Sequence, residues 1–401
     1  MELKHGMNLK YYIILALALT LLGVSSTDIY ISSLPEIVVF FKTTPFLVNL
    51  TLSIYTLSMA ISVLFTGILS NRFGRKSILL TGIVVFIISS FAIVVSSSIW
   101  WVILFRVGQA YGCACLLMVC RLIIKDTMTP QEQVHASGVL VMGVVISPAV
   151  APSIGAFLAQ FGGWQSGFLL SGIFASLLFV CALLILKETN STPIKHLSSL
   201  TSYIKEYFIL LLDLKCLLFV FIIALTFAAY FVFIGISSYL FIDKAGLSPL
   251  TYSYLFVVIA CGYFIGNSSM MWLNKRNLTP IRLILFGVAG SLLGLLILGL
   301  SLFLSYGIFF TAVVTLGVLV MRSSSALIMV PAQVELMQHF NERGAHVLGL
   351  ATCMQFILAS VAITLAGVFH NQPQSALFIL TAVVFTPVIF LALKLKHLLA
   401  I

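Results

Sequence analysis

Along the chain, long apolar runs alternate with short polar or charged breaks. Runs long enough to cross a bilayer core as a helix cover residues 11–33, 46–69, 77–96, 99–124, 134–160, 165–187, 216–241, 250–273, 281–304, 306–330, 345–369 and 373–395. A transmembrane barrel needs short segments alternating with period two, and none of these runs does so. The pattern therefore predicts an all-α membrane protein with twelve transmembrane helices. One long polar connection, "KETNSTPIKHLSSLTSYIKEYFILLLDLK" at 187–215, divides them six and six. The expected organisation is a bundle at 1–187, a cytoplasmic linker at 188–215 and a second bundle at 216–401. Secondary transporters are commonly built from two such halves and bind substrate near the membrane midplane. A receptor or an intramembrane enzyme has no reason to be divided this way.

Composition excludes a soluble domain, because 61% of the 401 residues are apolar and 8% are charged. The net charge of +10 raises the question of nucleic acid, but the basic residues are sorted by loop. With the N-terminus in the cytoplasm, Lys42 and Lys244 are the only loop cations outside, while Arg106, Arg121 and Arg322 fall within spans. The excess is a topology signal with both termini cytoplasmic, not a nucleic-acid surface. The first span follows Lys4 and Lys10 but has no small-residue cleavage site after it, so it reads as retained. The seven cysteines, at 113, 115, 120, 181, 216, 261 and 353, form no C-x-x-C pair, and the histidines sit in loops, tails or span ends. No metal site, cofactor site or enzyme motif is expected.

The loop between spans 2 and 3 reads "GILSNRFGRKS", residues 67–77. It resembles the signature loop of the major facilitator superfamily, with Gly67, Leu69, Arg72, Gly74, Arg75 and Lys76 in register. Gly74 permits a tight turn, Gly67 is expected at a close helix contact, and the cations obey the positive-inside rule. Asn71 stands where the family usually has Asp, which puts the strength of a cytoplasmic charge network in question. In span 4, "FRVGQAYGCACLLMVCRLIIKD" is similar to the family's R-x-x-Q-x-x-G pattern through Arg106, Gln109 and Gly112, and ends on Arg121, Lys125 and Asp126. In span 5, "GVVISPAVAPSIGAFLAQFGGWQSGF" resembles the proline- and glycine-rich stretch of proton-driven exporters, and its S-P-x-x-A-P-x-x-G form resembles the bicyclomycin-resistance (Bcr/CflA) group of drug:proton antiporters. Pro148 and Pro152 are expected to bend the span, and Gly143 and Gly155 to let neighbours approach. The stretch "KAGLSPLTYSYLFVVIACGYFIGN" at 244–267 also resembles that group. The resemblance implies a major facilitator fold of two six-helix bundles.

Asp28 and Arg106 both fall about 7 to 11 Å beneath the outer boundary, counting about 1.5 Å per residue along spans 1 and 4. An ionisable group at that depth faces the bundle interior or a wet cavity. Desolvation and a neighbouring guanidinium act on a carboxyl in opposite senses, so a change in their contact switches Asp28 between holding and releasing a proton. The resemblance implies that this switch couples export to protons; a purely structural ion pair is the alternative. Arg121, near the cytoplasmic end of span 4, is expected to snorkel or pair with an acid. Arg322 lies in span 10 within "GVLVMRSSSALIMVP", with no acid inside any second-half span. It suggests a preference for anionic or zwitterionic substrates, or else binds headgroups or backbone. Tyr30, Tyr55, Tyr111, Tyr230 and Phe233, with Gln109 and Gln355, are candidates to line a pocket.

The expected protein is a monomeric, proton-coupled exporter of small amphipathic compounds, of multidrug efflux type, in a bacterial inner membrane. It needs no cofactor beyond the proton gradient. The alternative is a dedicated carrier of an anionic metabolite such as a carboxylate siderophore.

Overall fold

The computed structural model describes residues 9–190, 207–340 and 343–399, so residues 191–206 of the expected linker lie outside the described residues. Twelve helices among the described residues are long and apolar enough to cross a membrane. Burial is arranged as lipid requires. Leu184 and Phe303 are 82% and 88% exposed, whereas Arg106 and Gln109 are wholly buried. Water would not tolerate so large an apolar surface, and helices in lipid associate through small and polar groups instead.

In chain order the helices are α1 (Leu9–Asp28), α2 (Leu34–Phe40), α3 (Pro45–Phe73), α4 (Arg75–Val94), α5 (Ile99–Thr127), α6 (Pro130–Gly162), α7 (Gln165–Ile185), α8 (Leu214–Ser238), α9 (Pro249–Lys275), α10 (Pro280–Ser301), α11 (Ile308–His339), α12 (Gly344–Val368) and α13 (Pro373–Leu399). The first span departs from the expected continuous helix. It ends at Asp28, passes through a 3-10 turn at Ile31–Ser33 and resumes as α2. Pro35 is the physical cause: it has no N–H to donate and disfavours helical geometry just before it, so it starts a new helix more easily than it continues an old one. Within the expected linker, residues 207–212 are helical.

The chain divides into two compact units. One comprises Met1–Thr43 and Ile54–Leu200, the other Thr44–Ser53 and Thr201–Ile401. The first turns of α3 thus go with the second unit. There Asn49 Nδ2 donates to the Gly235 carbonyl at 2.8 Å, and Ser53 Oγ meets Ser360 Oγ at 2.8 Å.

In the first unit α1 packs against α5, α6 and α7, and α4 against α5 and α7. Their buried faces make one apolar core that includes Leu15, Leu19, Ile83, Phe86, Leu116 and Ile123. Glycine sets the closest approach. Gly155 of α6 lies so near the Ile29 carbonyl that a Cβ would collide with it, and a Cβ at Gly143 would come within 2.8 Å of Leu17 Cδ1. Gly67 does not fit the expectation of a close contact: a Cβ there would meet nothing within 4 Å, because its side of α3 faces open space. In the second unit α8 packs against α11, α12 and α13, and α10 against α11.

Candidate functional site

The first unit gathers its buried polar groups where α1 breaks. Asp28 is the last residue of α1, and the Ser147 hydroxyl on α6 donates to its carboxylate at 3.2 Å. Ser147 immediately precedes Pro148, and α6 runs unbroken through both Pro148 and Pro152. The Pro152 carbonyl in turn accepts from Ser32 Oγ at 3.3 Å, so the α1–α2 break and the proline stretch are tied at two points.

Arg106 on α5 is wholly buried. Its Nη1 donates to the Ser26 carbonyl at 3.0 Å, two residues before Asp28, and to Gln109 Oε1 at 2.8 Å. Gln109 Nε2 passes the network on to Ser90 Oγ at 2.8 Å. The guanidinium lies 4.1 Å from the Tyr55 ring centroid and 4.7 Å from that of Tyr30, with Phe168 at 5.9 Å. Tyr55 is itself fixed by its hydroxyl, 2.7 Å from Ser26 Oγ. Stacked faces and hydrogen-bonded edges use both recognition modes of a guanidinium, which a lysine ammonium does not reproduce. Arg106→Lys should therefore destabilise the first unit by about 2 kcal/mol despite keeping the charge. Thermal unfolding in detergent measures this, and an unchanged midpoint would contradict it.

The structure thus brings Asp28, Tyr30, Tyr55, Arg106 and Gln109 to one end of one unit. Tyr111 is not brought there. It packs against the apolar core, since five residues turn it about 140° round α5 from Arg106. Ser26, Ser90 and Phe168 belong to the site although nothing in their local sequence marks them.

At the other end of the same unit the signature loop is a second polar centre. Gly74 adopts φ +93°, in the left-handed region, and turns the chain from α3 into α4. Arg75 pairs with Asp126 at 2.8 Å and donates to Ser70 Oγ at 2.8 Å and Asn71 Oδ1 at 2.6 Å. Asn71 therefore keeps the hydrogen bond, and Asp126 supplies the negative charge. Lys76 Nζ donates to the Leu186 carbonyl at 2.6 Å, while Arg72 lies over the Phe73 ring. Glu188 accepts from the Arg75 and Lys76 amides at 2.8 and 3.1 Å, capping α4 where helix amides lack partners. Glu188→Ala should weaken this end by about 1 kcal/mol and speed hydrogen exchange of those two amides about fivefold. No change in their exchange would contradict the capping role.

The second unit holds a small cavity lined by Thr226, Tyr230, Phe233, Arg322, Ser325 and Thr381 among others. Gln355 is buried on α12 and does not line it.

The family profile described as Major Facilitator Superfamily matches residues 13–364. The chain belongs to this superfamily. Among curated relatives it is 27% identical over 197 residues to the multidrug resistance protein MdtL of Shewanella oneidensis, covering 49% of this chain and 50% of that one. It is 28% identical over 245 residues to a chloramphenicol resistance protein of Pseudomonas aeruginosa, covering 60% and 56%. The chain spans about half to three fifths of the length of the curated relatives it matches. Among solved structures, a bacterial homolog of the human lysosomal transporter Spinster, inward-facing and occupied, superposes with a TM-score of 0.74 over 97% of both chains at 16% identity. That likeness is one of fold.

Proposed function

We propose that the chain is a proton-coupled antiporter of the bicyclomycin-resistance type, exporting small amphipathic compounds across a bacterial inner membrane as a monomer. The observation that carries this reading is Asp28, a carboxylate at a helix break inside a membrane span, reached by Ser147 and two residues from the carbonyl that Arg106 holds. Broken helices place ionisable groups where substrate and coupling ions bind. Arg106 is fixed by Gln109, Ser26 and three aromatic rings, so it is a standing positive charge held against α1 two residues before the Asp28 carboxyl. Protonation weakens the hold of that field on α1, and alternating access then presents the carboxyl to each side in turn. The proton gradient drives the cycle with no cofactor.

The names of the relatives support the substrate class and make chloramphenicol a first test compound. Cells producing the chain should tolerate more of at least one such compound and accumulate less of it, and a protonophore should abolish the difference. Accumulation that is lower with or without the protonophore would contradict proton coupling.

A further inference from the structure

The second unit's cavity holds a cation, as the first unit's site does, but no carboxylate among the described residues lines it. Arg322 projects from α11, and its guanidinium lies 4.1 Å from the Tyr230 ring centroid and 4.8 Å from that of Tyr263. These rings hold the cation through the π faces. Its planar edge carries the N–H donors, which match a carboxylate bidentately. Among the described residues that line the cavity none carries a carboxylate. A second group points the same way. The Thr381 hydroxyl on α13 lines the cavity, is 2% exposed, and has no hydrogen-bond partner among the described residues. Burying a hydroxyl without a partner is costly, so it marks a place where another polar group arrives. Ser325 and Thr226 nearby already donate to the Arg322 and Ile222 carbonyls, which leaves their lone pairs but not their protons. Phe233 and Tyr230, stacked at 6.2 Å, supply the apolar wall.

We propose that this cavity is an anion subsite: the Arg322 edge and the Thr381 hydroxyl take the carboxylate of an amphipathic substrate, and the Tyr230–Phe233 wall takes its apolar body. The proposal rests on reading the chain as an exporter and ranks its amphipathic substrates, those carrying a negative group binding more tightly than neutral ones of the same shape. In a setting partly removed from water, a fixed cation discriminates by charge far more strongly than a surface pair does. Lipophilic cations are correspondingly excluded.

The test is equilibrium binding to purified full-length protein, which does not depend on transport. The probes are an aryl carboxylate and its methyl ester, alike in shape and apolar area. Wild type should bind the carboxylate about tenfold or more tighter than the ester. Arg322→Gln should remove that preference, Arg322→Lys should keep part of it, and Thr381→Val should reduce it severalfold while ester binding stays unchanged. Lys and Val preserve size closely enough to serve if the Gln variant fails to fold. Equal binding of the two probes by wild type, binding of neither, or a preference that survives in Arg322→Gln or is untouched in both Arg322→Lys and Thr381→Val would overturn the proposal. A carboxylate preference that depends on Arg322 in a protein that shows no proton-driven transport would leave the subsite standing and sink the export reading instead.

Discussion

Asp28→Asn should abolish accumulation of substrate against its gradient while leaving the protein inserted and able to equilibrate substrate downhill. The amide keeps the size of the carboxyl and still accepts from the Ser147 hydroxyl, so the contact between α1 and α6 survives. It cannot take up or release a proton, so under the proposed mechanism nothing remains at this site to couple transport to the gradient. The effect is therefore a loss of coupling rather than a graded loss of rate. Uphill transport by Asp28→Asn at the rate of the wild type would refute the role assigned to Asp28. Loss of downhill exchange together with uphill transport would instead assign Asp28 to the architecture of the break.

Gly155→Ala should destabilise the first unit by about 3 kcal/mol, at the upper end of what overpacking usually costs. The added methyl would collide with the Ile29 carbonyl, a backbone atom next to the break of α1 that cannot rotate away as a side chain would. Gly67→Ala is the matched control. Its methyl meets open space, and replacing glycine within a helix should gain about 0.5 to 1 kcal/mol. Thermal midpoints in detergent should move in opposite directions for the two variants. Tolerance at Gly155 would mean that α6 does not rest on the α1 break as described, and a fall at Gly67 that its side of α3 is not open.

The positions of the spans were legible because their signal runs along the chain, where length and apolarity suffice to mark a crossing. What lies across from a residue was not. Gly67 and Gly155 are both glycines in a membrane helix, yet only Gly155 meets a neighbour, since the difference is the rotation of each helix about its axis. Tyr111 was misplaced for the same reason, sharing a helix with Arg106 but not a face. The break after Asp28 had a signal in Pro35, but the apolar residues on both sides masked it, because lipid accepts an apolar helix in one piece or two. Asn71 showed the reverse: the sequence marked a missing acid, while Asp126 and Glu188, distant along the chain, supply the charges around Arg75 and at the head of α4. Thr381 carries no local mark at all, for an unpartnered hydroxyl is a property of its surroundings.

Coupling of solute to protons is the centre of the account, and proton flux measured in reconstituted vesicles tests it most directly. Purified protein is placed in vesicles with an acid lumen, diluted into neutral buffer, and offered a panel of amphipathic compounds beginning with chloramphenicol. The account predicts that at least one compound accumulates inside as a pH-sensitive dye reports alkalinisation of the lumen, and that vesicles carrying Asp28→Asn show neither. Accumulation without proton movement, or no proton movement with any compound of the panel, would contradict it.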